Sequence, residues 1–71
     1  MANKMIYIED MTCDHCVETI NNAINKISGI KKLEIDLENK LVVVDFDSIQ
    51  TNLDRIKSTI KQVGFEAKIK N

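Results

Sequence analysis

Six segments of regular hydrophobic period follow one another in this chain without a linker, and their order restricts the fold more than any other feature. Residues 4–9 alternate, with Ile6 and Ile8 on one side and Tyr7 on the other, the period-two pattern of a strand. Residues 14–28 place Val17, Ile20, Ile24 and Ile27 at helical spacing, with Asn21, Asn22 and Asn25 on the other side. Gly29 supplies a stop for that helix, because glycine enters the left-handed cap conformation cheaply. Residues 30–37 alternate again, Leu33, Ile35 and Leu37 against Lys32, Glu34 and Asp36, and Glu38-Asn39-Lys40 reads as a turn. Residues 41–46 form another strand, with Val42, Val44 and Phe46 inward and Asp45 wet. Thr51 with Asp54 three residues on resembles a capping box. It opens a second helix that turns Leu53, Ile56, Ile60 and Val63 inward and ends at Gly64. Residues 65–70 alternate as the last strand.

The order β-α-β-β-α-β leaves two helices with one apolar stripe each and four strands with one apolar face each. The economical solution is an α+β, ferredoxin-like βαββαβ sandwich, a four-stranded antiparallel sheet with both helices on one face. Right-handed crossovers put the first and third strands in the middle. The expected unit is one domain over residues 1–71, the size of one small domain. Tyr7, Leu41 and Val43 fall on the open face, where scattered apolar residues need no partner.

This topology also predicts neighbours. The first strand rises to the 11–16 loop and the first helix descends from it. The second strand rises, the third descends and the second helix rises again. The Val63-Gly64-Phe65 loop and the Glu38-Asn39 turn therefore belong at the end of the sheet that carries Cys13 and Cys16. Phe65 is expected beside the thiols.

Composition then limits the function. A Cys13–Cys16 bridge would close a four-residue loop and stabilise by only about 2 kcal/mol. A hydrophobic fraction of 44%, mostly Ile, Val and Leu, builds a core without it. A formal net charge of −1 and the scarcity of aromatic residues argue against nucleic-acid binding. No apolar run approaches a membrane span, and the start of the chain has no signal-peptide core. The expectation is a cytoplasmic protein without membrane insertion, whose reduced thiols read as metal-binding or catalytic before they read as structural.

The run Met11-Thr12-Cys13-Asp14-His15-Cys16 holds both cysteines and the single histidine. It lies where a strand ends and a helix begins, so backbone N–H groups and the helix dipole should lower the thiol pKa. Asp14 is the expected helix cap. Two thiolates with few other donors suit a soft, low-coordinate ion, above all Cu(I), whereas zinc wants two further ligands. His15 sits between the cysteines in a short loop, and one chain does not readily close a tetrahedral site. An open two-ligand site suits transfer, because an incoming thiolate can add before either resident one leaves. A carrier of Hg(II), Zn(II) or Cd(II) remains open. So do a small thiol–disulfide oxidoreductase, which the lack of proline and tryptophan disfavours, and a structural module.

Met-Thr-Cys-Asp-His-Cys on a βαββαβ chain resembles the heavy-metal-associated domain family, with its M-x-C-x-x-C motif, and the likeness covers essentially the whole chain. Val63-Gly64-Phe65-Glu66 is similar to the family's final loop. The nearest members are small bacterial copper chaperones. The resemblance implies that Cys13 and Cys16 bind Cu(I) and pass it to a matching domain of a copper-transporting P-type ATPase. It makes Met11 a buried anchor of the loop, and the histidine before the second cysteine favours copper. Asp10 departs from the glycine usual before the methionine, which affects loop flexibility or charge and leaves the ligands in place. Among the remaining residues, His15 is a tuner of the thiolates or a ligand in a metal-bridged dimer, the chain otherwise being monomeric. Phe65 either shields the site or belongs to the core. Lys61 complements a helix C-terminus or offsets the charge of a Cu(I)-bis-thiolate. Glu9, Asp10, Asp14 and Glu18, with no cation between residues 5 and 25, form a solvated face or an acidic rim that steers a basic partner.

Overall fold

Each segment folds as its period demands. In the computed structural model, which describes residues 2–70, the order is β1 (Ala2–Ile8), α1 (Asp14–Asn25), β2 (Ile30–Asp36), β3 (Leu41–Phe46), α2 (Leu53–Gln62) and β4 (Ala67–Ile69). Met1 and Asn71, the ends of the expected 1–71 domain, lie outside the described residues. The strands form one antiparallel sheet in the order β2-β3-β1-β4, with β1 and β3 central as the crossover rule requires.

Register decides which side chains are buried. Ile6 lies opposite Val42 and Ile69, while its neighbour Tyr7 lies opposite Leu41 and Lys68. Ile6, Ile8, Val42, Val44 and Phe46 therefore project to one face, where Ile20 and Ile24 of α1 and Ile56 and Ile60 of α2 meet them. A one-residue slip would send every one of these strand residues to the other face. On the open face the Lys70 ammonium lies 5.4 Å from the centre of the Tyr7 ring, so the ring has a cationic cover.

The ends of elements depart from the expected pattern for local reasons. The first helix stops at Asn25 instead of residue 28. The Ile27 N–H turns back to the Ile24 carbonyl at 3.0 Å, a tighter bond than the helical one. Gly29 is thus not the cap of α1. It sits in the turn before β2 at φ +98°, and a Cβ there would lie 2.8 Å from the Gln50 Cβ. The capping-box reading of Thr51 is also off by one residue. Asn52 is the cap and its side chain accepts the Arg55 N–H at 2.8 Å, while Thr51 is buried. Val63, expected inward, is the C-cap of α2 and stands 36% exposed. The last strand contracts to three residues because Phe65 and Glu66 complete the preceding loop.

The turn into α2 is organised by Asp47. Its carboxylate accepts the Ile49 N–H at 2.9 Å and the Gln50 side-chain amide at 3.3 Å, and its own N–H donates to the Gly29 carbonyl at 2.8 Å. The Ile49 N–H holds this carboxyl below its ordinary pKa against the opposing effect of burial, with help from the Gln50 amide and the charge of Lys31. Asp36 is lowered likewise, by the Asn39 side chain first and its backbone N–H second. A depressed folded pKa gives stability that is present above the unfolded value, about 3.9, and is lost as pH falls through the folded one. Thermal unfolding should therefore show a midpoint that is flat from about pH 5 to neutrality and falls below about pH 4. Asp47→Asn should lower the neutral-pH midpoint and flatten the acid limb.

Candidate metal centre

The thiol loop is fixed from below by a buried methionine. The Met11 side chain is fully buried in the core between sheet and helices, and its N–H donates to the Ile8 carbonyl at 3.2 Å. The chain thus turns sharply after β1 and is held at Met11 before it reaches the cysteines. The 38–40 turn closes the same end, where the Ile8 N–H donates to the Lys40 carbonyl at 2.9 Å. Lys40 adopts a left-handed φ of 59° there.

The cap of α1 is Cys13, not Asp14. Cys13 has the extended backbone of a cap residue (φ −150°, ψ 166°), and Asp14 is the first helical residue. A sulfur stands where an N-cap oxygen usually stands, and no side chain closes the cap with a hydrogen bond. Cys16 follows one turn later, which brings the two sulfurs to 3.1 Å. Cys13 is exposed, Cys16 half-buried, and both are free thiols. The hydrogen bond from the Cys16 thiol draws the Cys13 pKa down, and the Cys16 and His15 N–H groups add to this. Partial desolvation and the Asp14 carboxylate work the other way. The outer thiol is therefore easier to ionise than an ordinary cysteine, and the thiolate is the form that binds soft metal.

Among the described residues, no third His, Cys, Asp or Glu joins the pair in a cluster able to hold an ion. His15 is exposed, and its carbonyl is taken by the Thr19 hydroxyl at 3.0 Å. Glu9, Asp10, Asp14 and Glu18 are all exposed around the loop.

Phe65 owes its place to the end of α2. Its N–H donates to the Ile60 carbonyl at 3.2 Å and the Gly64 N–H donates to the Lys61 carbonyl at 3.0 Å. With Gly64 at φ +96°, these are the two bonds of a Schellman motif, which carries Phe65 back onto the core. Lys61 is exposed in the last turn of the helix. Both residues line a groove of about 990 Å³ that reaches Asp10 in the thiol loop, and neither cysteine lines it. Lys57 and Lys68 line the same groove. The sequence reading missed both; the four-residue spacing of Lys57 and Lys61 was the available signal.

The chain is similar to metal-handling proteins on three counts. Residues 5–66 match the heavy-metal-associated domain. A copper chaperone CopZ of Staphylococcus haemolyticus is 35% identical over 68 residues, spanning 96% of this chain and 100% of that protein. A copper-transporting ATPase of Helicobacter pylori is 42% identical over 65 residues, spanning 92% of this chain but only 9% of the ATPase. Among solved structures, a copper-binding domain of the P-type ATPase HMA7 superimposes with a TM-score of 0.95 at 28% identity, covering 100% of this chain and 96% of that domain.

Proposed function

Because this chain belongs to the heavy-metal-associated domain family, we propose that it is a Cu(I) chaperone that binds the ion through Cys13 and Cys16 and passes it on by thiolate exchange. The observation that carries this reading is the donor set. Two sulfurs lie 3.1 Å apart on an exposed loop, and no further side chain completes a tetrahedral cage among the described residues. Soft thiolates at low coordination number favour Cu(I), and zinc would lack half its ligands.

The partner is a copper-transporting P-type ATPase. In support, the same kind of module occurs in a chaperone spanned from end to end and in a short part of an ATPase. Two matched loops can share the ion during exchange: the partner's thiolate adds, a three-sulfur intermediate forms, and one original thiolate leaves with its proton restored from solvent. The acidic residues around the loop steer a basic partner surface. Lys61 and His15 tune the charge at the thiolates, Phe65 shields the loop from the groove side, and Met11 anchors it. The chain is cytoplasmic, is a single domain over 1–71, and carries cargo without catalysing a reaction.

Anaerobic competition tests the reading. Reduced protein should withdraw Cu(I) stoichiometrically from a chromophoric Cu(I) chelator and hold Zn(II) far more weakly. Failure to withdraw Cu(I), or tighter binding of Zn(II), rejects it.

A further inference from the structure

The two edges of the sheet are unlike. On β2 the exposed side chains carry both signs, Lys31 and Lys32 followed by Glu34 and Asp36, Lys32 and Glu34 pair at 3.2 Å, and a bulge interrupts the register between Ile30 and Lys32. Mixed charge and a bulge are the usual protection of an edge strand. Strand β4 has no bulge, and its one charged residue within the strand is Lys68.

The backbone of β4 also has bonding groups left over. Its register against β1 pairs Ile69 with Ile6, Lys68 with Tyr7 and Ala67 with Ile8, and the Lys70 N–H donates to the Met5 carbonyl at 2.8 Å. Hydrogen-bonded pairs alternate in an antiparallel ladder, so Lys68 and Lys70 bond inward to β1. The N–H and C=O groups of Ala67 and Ile69 then point to the free edge, beside the groove of about 990 Å³.

The charge of that groove selects its occupant. Lys57 and Lys61 lie on the α2 wall and Lys68 on the strand, and among the described residues the one ion pair is Lys32–Glu34, so none of the three is neutralised. The carboxylates Asp10 and Glu66 sit at the loop end, and Lys57 lies a full helical turn further from that end than Lys61. A lysine on the strand alone would suffice to repel another edge. Two more on the facing helix make an attractive wall for an acidic segment. A second copy of this chain would bring Lys68 against Lys68 in an antiparallel edge pairing, which disfavours self-association there.

We propose that the edge of β4 is a strand-addition site for an extended, acidic segment of a partner protein, bonded to the backbone of Ala67 and Ile69 and held between Lys57 and Lys68. For the partner's identity this rests on the proposed chaperone function, but the docking itself needs no metal. Because the groove reaches Asp10 in the thiol loop, a segment seated in it tethers the partner next to the cysteines and raises the effective concentration for exchange.

The test uses the reduced, metal-free full chain, labelled with 15N, and a capped hexapeptide of Glu and Val with glutamates at consecutive positions, so that they reach Lys57 on one face of the sheet edge and Lys68 on the other. Titration to about 1 mM, which reaches weak binding of about −4 kcal/mol, should shift the Ala67 and Ile69 amides and slow their hydrogen exchange. The response should weaken with salt. Lys57→Glu combined with Lys68→Glu should weaken binding about fivefold or more, since it turns two attractive contacts into two repulsive ones. Ile69→Pro removes an outward donor without removing a bond to β1. It should abolish the response while the circular dichroism spectrum stays that of the parent. Unperturbed amides at 67 and 69, an equal response to a Lys-Val peptide, or concentration-dependent shifts there without any peptide (a second copy as occupant) would each overturn the proposal. None of these outcomes bears on Cu(I) affinity, so the chaperone reading stands or falls separately.

Discussion

Cys13→Ser and Cys16→Ser should each lose Cu(I) in competition with a chromophoric chelator that the parent protein outcompetes. A structural zinc site draws roughly 10–16 kcal/mol from four ligands, about 2.5–4 kcal/mol per ligand, so removal of one thiolate from a two-thiolate site should weaken binding by about two to three decades. The hydroxyl is a harder and far weaker donor at neutral pH. Neither substitution should unfold the chain. Cys13 is exposed, Cys16 is half-buried at the margin of the core, and the cap of α1 is not closed by a side-chain hydrogen bond in any case. Circular dichroism should be unchanged and the thermal midpoint should move little. If either serine variant held Cu(I) as tightly as the parent, the cysteine pair would not be the site.

Met11→Ala should act in the opposite way, on the fold first. The side chain is fully buried, and truncation of a buried methionine costs about 2–5 kcal/mol. In a domain of this size each kcal/mol moves the midpoint by about 4–8 °C, so a fall of roughly 8–40 °C is expected. Met11→Leu separates an anchor from a ligand. It keeps volume and burial at a cost under about 1.5 kcal/mol, and removes the sulfur. Unchanged Cu(I) affinity in Met11→Leu is the result expected of an anchor. A tenfold or greater loss with the midpoint preserved would make Met11 a third ligand.

The hydrophobic periods made the layers legible, because a strand or helix with one apolar face has few ways to bury it. Val42, Val44 and Phe46 alternate inward as read, and Ile20, Ile24, Ile56 and Ile60 meet them. Gly64 was legible because the left-handed residue of a Schellman motif favours glycine, and the bonds from Gly64 and Phe65 complete that motif. The same logic misled at Gly29, whose φ of +98° serves the turn before β2 and its close approach to Gln50. It also misled at Thr51, because Asn52 competes for the cap and a threonine methyl is easily buried. Asp14 was displaced from the cap by Cys13, one residue earlier, and instead opens the first turn, where its carboxylate complements the helix dipole.

The sequence by itself determined the order of elements and the pair of sulfurs with one histidine between them, since these follow from residue type and spacing along the chain. Only the tertiary structure decided that Met11 is fully buried, that the sulfurs lie 3.1 Å apart with Cys13 as the helix cap, and that Lys57, Lys61 and Lys68 line one groove reaching Asp10. Those facts depend on how α2 and β4 pack against β1. Packing brings together side chains that no local pattern connects.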